Sequence, residues 1–129
     1  MANVLIIDDE QSILETLEIF FSKKGHTVYT ALTGNEGLAL FYRYKPDVVI
    51  LDIRLPDLNG MEVLDRIQED ECPAKVIMIT SYQDMQTAVQ TMKKGAYDYI
   101  KKPLDIDDME RVVDQALQVL EMEHEVPFL

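Results

Sequence analysis

The chain has 129 residues, room for one domain with a core of its own and too few for two of ordinary size. At 47% hydrophobic and 28% charged residues it excludes wholesale disorder. Its 24 acidic against 12 basic residues give a formal charge of −12, the wrong sign for nonspecific nucleic-acid binding, which needs a basic surface to displace counterions.

One cysteine, Cys72, and two well-separated histidines, His26 and His124, leave no intrachain disulfide, thiolate zinc site or imidazole cluster. The histidines read as surface residues and the seven methionines as gap-fillers. No apolar run approaches the roughly 18 residues of a membrane span, and Met1-Ala2-Asn3 does not open a signal peptide. The expectation is a soluble, cytoplasmic domain with no direct nucleic-acid or membrane contact.

In chain order, apolar runs alternate with amphipathic stretches. Val4-Leu5-Ile6-Ile7 predicts a strand buried on both faces. Residues 10–24 follow as a helix with Ile13, Leu14, Leu17, Phe20 and Phe21 on one face and Gly25 as the stop. The mixed segment 26–31 predicts an edge strand. Residues 35–44 make a helix carrying Leu38, Phe41 and Tyr42, ended by Pro46. Val48-Val49-Ile50-Leu51 is a second buried strand, and 60–69 a helix through Val63, Leu64 and Ile67. Val76-Ile77-Met78-Ile79 is the third buried run. The helix 84–94 carries Met85, Ala88, Val89 and Met92 and stops at Gly95; a second edge strand falls at 96–100. The last helix, 105–122, carries Ile106, Met109, Val112, Val113, Ala116, Leu117 and Leu120.

Five βα units in series predict an α/β fold, a parallel sheet with helices on both faces and right-handed crossovers. Three apolar strands belong in the middle and two mixed ones at the edges. Orders 2-1-3-4-5 and 2-3-1-4-5 both satisfy that.

Ligands of open parallel sheets bind beyond the carboxyl ends of the strands. There the first strand offers Asp8-Asp9-Glu10, the third Asp52, the fourth Thr80-Ser81 and the fifth Lys101-Lys102-Pro103, while the second ends in uncharged Thr30-Ala31-Leu32. Gathered carboxylates raise one another's pKa unless a cation lies among them, and a hard, oxygen-seeking ion such as Mg²⁺ answers that need. A carboxylate beside Mg²⁺, a lysine and a hydroxyl is a good phosphoryl acceptor, which suggests an aspartyl phosphate. Each residue has an ordinary alternative: Asp9 as a helix N-cap, Asp52 as a loop acid, Thr80 as a strand end, Lys102 as a solvated lysine. Four strand ends each supplying a needed group outweigh those alternatives taken singly.

The motifs Val4–Glu10, Pro46–Asp52 with Leu55-Pro56-Asp57 and Asn59-Gly60-Met61-Glu62, Ile79-Thr80-Ser81 and Lys94–Pro103 resemble the receiver domain of bacterial two-component response regulators over residues 3–120. The resemblance implies the flavodoxin-like order 2-1-3-4-5. It implies Asp52 as phosphoacceptor and Asp8, Asp9 and Asp52 with the backbone carbonyl of Arg54 as the Mg²⁺ site, Asp9 the more direct ligand of the acid pair. It further implies Thr80 as switch hydroxyl, Lys102 as the conjugate lysine before a cis peptide at Pro103, Tyr99 as switch aromatic, and Ser81 as a small residue that admits the donor. The donor implied is a phosphohistidine of a sensor histidine kinase. Arg54 and Tyr82 are expected to flank the path of attacking water.

Tyr82–Val89 and Tyr97–Leu104 look most similar to receivers of the NtrC type, whose proteins add a AAA+ ATPase and a DNA-binding helix-turn-helix. No Walker A sequence is present, so the expectation is the receiver of a longer regulator, at 1–122, with 123–129 as the start of a linker or tail. A homodimer is expected through the fourth helix, fifth strand and fifth helix, with Val113, Leu117 and Leu120 forming the seam. The rival is a Mg²⁺-dependent aspartate-nucleophile phosphohydrolase, which needs a second acid two residues after the nucleophile, where this chain has Arg54. A flavodoxin-type electron carrier needs a phosphate loop where Asp8-Asp9-Glu10 would repel the phosphate.

Overall fold

A computed structural model of the protein describes residues 1–71 and 73–125, without the side chains of Tyr82, His124 and Glu125; Cys72 and the His124 side chain therefore lie outside the described residues. The elements run β1 (Asn3–Ile7), α1 (Gln11–Lys23), β2 (Thr27–Ala31), α2 (Gly34–Tyr44), β3 (Val48–Asp52), α3 (Gly60–Glu69), β4 (Lys75–Thr80), a 3₁₀ turn (Tyr82–Asp84), α4 (Met85–Lys93), β5 (Asp98–Lys101) and α5 (Ile106–Glu125). All strand pairs are parallel, in the order β2-β1-β3-β4-β5. The apolar strands β1, β3 and β4 occupy the middle and are buried almost throughout, while β2 and β5 are the half-exposed edges.

Alternation along the strands builds two cores. Leu5, Ile7, Val49, Leu51 and Met78 point to one face, covered by α2 and α3 through Leu38, Phe41, Val63, Leu64 and Ile67. Val4, Ile6, Ile50, Ile77 and Ile79 point to the other, covered by α1 and α5 through Leu14, Leu17, Phe21, Met109, Val112, Val113 and Ala116. Gly25 and Gly95 end α1 and α4 at φ +94° and +104°, a region an L side chain resists. Lys45, at φ 47°, ends α2 before Pro46.

Four expectations are corrected. In α4 the buried residues are Ala88 and Thr91, while Val89 and Met92 are 49% and 37% exposed. Two small residues one turn apart let the helix sit close to the sheet, and the Thr91 hydroxyl is satisfied by donating to the Ala88 carbonyl at 2.6 Å. In α5 the seam is turned inward: Val113 and Leu120 are buried, and Leu117 packs against the same core. The helix also continues to Glu125, three residues past its expected end, with Lys75 pairing Glu123 at 2.9 Å. Tyr42 on α2 is exposed rather than inward.

Candidate functional site

The strand register brings the polar strand ends into one line. Ile7 lies beside Leu51, so Asp8 follows next to Asp52; Thr80 lies beside Lys101, so Lys102 is the next residue out on β5. Gly60 lets the start of α3 close on this rim: a Cβ there would come within 2.5 Å of the Asp52 carbonyl oxygen and 2.7 Å of Ile53 Cα. Its N–H donates to the Ile53 carbonyl at 2.6 Å, fixing the loop that carries Arg54.

Lys102 is the hub. Its Nζ lies 2.7 Å from Glu10 Oε1, 3.0 Å from Asp52 Oδ2 and 3.4 Å from Asp8 Oδ2. Partial burial alone would lower its pKa, but the bonds to Glu10 and Asp52 and the charges of Asp52 and Asp8 outweigh that and hold it above the ordinary lysine value. Lys102 is therefore a fixed positive charge.

Asp8 is fully buried. One oxygen, Oδ1, accepts the Glu10 N–H at 2.8 Å; the other, Oδ2, is buried without a hydrogen-bond partner. Burial, opposed by that backbone bond and seconded by the charge of Asp52, pushes its pKa up to about 6. Asp9 and Glu10 are exposed, and carboxylate oxygens of Asp8, Asp9 and Glu10 lie within 4.8 Å of one another. Asp9 does not cap α1: Glu10 holds the N-cap position, and no side chain bonds the helix end there. An all-oxygen, net-negative cluster in which the buried Asp8 Oδ2 has no hydrogen-bond partner, only the Lys102 charge at 3.4 Å, fits a hard divalent cation.

Asp52, 5% exposed, accepts the Arg54 N–H through Oδ1 at 3.1 Å and Lys102 through Oδ2. Thr80 is buried, and its hydroxyl donates to the Ser81 carbonyl at 3.0 Å, away from Asp52. Tyr99 is half-buried on edge strand β5, against the α2–α3 core. Lys102–Pro103 is a cis peptide, as expected. The Arg54 guanidinium forks onto Asp84, Nε to Oδ2 at 2.8 Å and Nη2 to Oδ1 at 2.9 Å. Tyr82, paired with Arg54 in the sequence reading, has its side chain outside the described residues. Asp9, Asp52, Arg54, Ser81, Asp84 and Lys102 share one open cavity.

Three residues here had no role assigned from sequence. Glu10 makes the shortest contact of Lys102; it was visible only as the third acid of a run. The periodicity puts Asp84 at the start of a helix, and the sequence carries no sign that it meets Arg54 thirty positions earlier. Asp57 caps α2 from outside, accepting from Gly34 N at 2.8 Å and Asn35 N at 2.9 Å. These bonds, led by Asn35, hold its carboxyl below the usual range. The Thr33 side chain accepts from Glu36 N at the same helix end. Thr33-Gly34-Asn35-Glu36 is the sequence form of a capping box and could have been read.

The family model of the response regulator receiver domain matches residues 4–114. The chain is a response regulator receiver domain. It is 36% identical over 126 residues to the regulatory protein AtoC of Escherichia coli strain K12, covering 98% of this chain and 27% of that protein. To the DNA-binding transcriptional regulator NtrC of Salmonella typhimurium it is 37% identical over 114 residues, 88% of this chain and 24% of that one. The receiver thus spans about a quarter of the length of these curated relatives. Among solved structures, a receiver domain protein of Clostridium thermocellum superposes with a TM-score of 0.90 at 33% identity, covering 95% and 98% of the two chains. NtrX of Brucella abortus superposes with a TM-score of 0.90 at 34% identity, over 97% of this chain and 29% of that one. The receiver is of the NtrC type.

Proposed function

We propose that this receiver takes a phosphoryl group onto Asp52 from a phosphohistidine of a sensor histidine kinase, and that the phosphorylated form switches an output. The carrying observation is Lys102, one ammonium tied to Glu10, Asp52 and Asp8 at the rim where the buried Oδ2 of Asp8 has no hydrogen-bond partner.

An Asp52 carboxylate oxygen attacks phosphorus, the P–N bond breaks, and its electron pair returns to the imidazole nitrogen, leaving an acyl phosphate. Lys102 neutralises charge on the transferring oxygens and leaves Glu10, its most exposed partner, to do so. The Arg54 N–H holds the second carboxylate oxygen in place. Ser81 keeps the approach open. The Thr80 hydroxyl rotates off the Ser81 carbonyl to bond the new oxygens, and Tyr99 turns inward into the space it leaves. Mg²⁺, held by Asp8, Asp9, Asp52 and the Arg54 carbonyl, would supply positive charge to the phosphoryl oxygens when bound.

The phosphohydrolase reading is not favoured, since the position that needs an acid holds Arg54, engaged with Asp84. We place the receiver at 1–122 with 123–129 leading to an output domain, in the cytoplasm. Among the described residues no helix is long and apolar enough to cross a membrane. A homodimer through α4, β5 and α5 finds its support in exposed Val89 and Met92 rather than in the α5 seam.

Incubation with Mg²⁺ and acetyl phosphate, followed by intact mass, tests the reading: a gain of about 80 Da, the mass of one added phosphoryl group, is expected. Asp52→Asn should abolish it, and chelation of Mg²⁺ should suppress it. A gain that persists in Asp52→Asn overturns the assignment.

A further inference from the structure

The start of α4 lies beside Asp52 with little of its own to hold it. It has no side-chain cap, and Ala88 and Thr91 are its buried residues. Asp84 anchors this end: its carboxylate takes the fork of Arg54 and the Ser81 hydroxyl, the latter at 3.0 Å. Arg54 meanwhile donates its backbone N–H to Asp52. One residue thus touches Asp52 with its backbone and the entry to α4 with its side chain. At the other end of α4, Lys94 pairs with Asp65 at 3.1 Å and its carbonyl accepts from Gln68 at 3.1 Å.

We propose that the Arg54–Asp84 fork is a charge-operated latch: when Asp52 carries a phosphoryl group, Arg54 moves from Asp84 to the phosphoryl oxygens and frees the 3₁₀ turn and the first turn of α4. This rests on the reading of Asp52 as phosphoacceptor. A phosphoryl group brings about −1.5 to −2 charges and three acceptor oxygens, against the single charge of Asp84. A guanidinium grips phosphate and carboxylate with the same planar fork, so the exchange needs no new geometry. The existing pair is open to solvent on one side, with the Arg54 side chain 67% exposed against 12% for Asp84, so the guanidinium can swing away without unpacking the core. The new charge also repels Asp84, which shares the cavity with Asp52. Asp84 is a positioning residue: it holds the guanidinium off Asp52 beforehand and competes for it afterwards. The contacts at Lys94 are remote from the new charge, so α4 loosens at its N-terminal end and pivots about the other.

Two readouts test this on the full chain. In hydrogen exchange, peptides over 83–89 should exchange about three- to tenfold faster once Mg²⁺ and beryllofluoride, a phosphoryl mimic, are added, the range of one charge-assisted bond lost near a surface. Asp84→Asn should exchange fast without the mimic. In the lifetime of the acyl phosphate formed from acetyl phosphate, Arg54→Ala should shorten it about threefold and Asp84→Asn lengthen it by a similar factor, the shift expected from one such contact. The double variant should lie close to Arg54→Ala alone, because Asp84 acts mainly through Arg54. Asp84→Glu, which keeps an acceptor for the fork, should restore both readouts toward the parent. Unchanged exchange in a protein that does gain the phosphoryl mass, or independent effects of the two substitutions on lifetime, overturns the latch and leaves the phosphoacceptor reading standing. No mass gain at all overturns both.

Discussion

Helices α3 and α4 each follow a central strand and face the same layer, yet they are held by different forces. Helix α3 buries Val63, Leu64 and Ile67 and has its first turn capped by Asn59, whose side chain accepts from Glu62 N at 3.0 Å. Helix α4 buries only two small residues, lacks a side-chain cap, and is tied down at its ends by Arg54–Asp84 and Lys94–Asp65. Apolar burial does not respond to a new charge, and ion pairs do. The helix fastened by charge is the one whose anchor shares a cavity with Asp52. The difference separates the part that keeps the acid rim in place from the part that can report a change there.

Substitution should expose that asymmetry. Leu64→Ala in α3 should cost about 3 kcal/mol in denaturant unfolding, the range for a fully buried leucine, whereas Val89→Ala in α4 should stay within about 0.5 kcal/mol. Equal costs would mean that α4 is fixed by packing after all.

The rim should carry strain that α3 does not relieve. Asp8 has a folded pKa of about 6 against an ordinary 3.8, so the folded state holds this proton more tightly than the unfolded one. In Mg²⁺-free protein its buried charge therefore destabilises the fold above pH 6, and that cost fades as pH falls through 6 toward 4. Asp8→Asn should raise metal-free stability at pH 8 by on the order of 2 kcal/mol and flatten the dependence between pH 4 and 7. A parent and variant with parallel stability–pH curves would remove Asp8 as the source.

The sequence made the sheet legible because burial on both faces leaves an unbroken apolar run, as in Val48–Leu51, and because Gly25, Gly95 and Pro46 punctuate the helices. The rim followed, since strand ends are points the topology already fixes. What stayed hidden were contacts between segments far apart in the chain. Asp84 with Arg54, Glu10 with Lys102 and Asp57 on the end of α2 depend on loop paths that no periodicity encodes. The inner face of α4 was legible only in part: Ala88 lies on the expected stripe and is buried, but hydrophobic size also drew in Val89 and Met92, which are exposed, and passed over the polar Thr91.

Smaller effects sharpen the contrast. Asn59→Ala should cost about 1 kcal/mol through the lost cap of α3, measured by thermal unfolding. Asp65→Ala, which breaks an exposed pair at the far end of α4, should cost no more than about 0.5 kcal/mol. A larger loss there would make that end, rather than the Arg54 end, the main anchor of α4.

The most direct measurement is the location of the phosphoryl group itself. After treatment with acetyl phosphate and Mg²⁺, borohydride reduces an acyl phosphate to the corresponding alcohol, and peptide mass spectrometry then reads which aspartate has become homoserine. Homoserine is expected at position 52 and nowhere else in the rim. Homoserine at position 8 or 9 with Asp52 intact would contradict it.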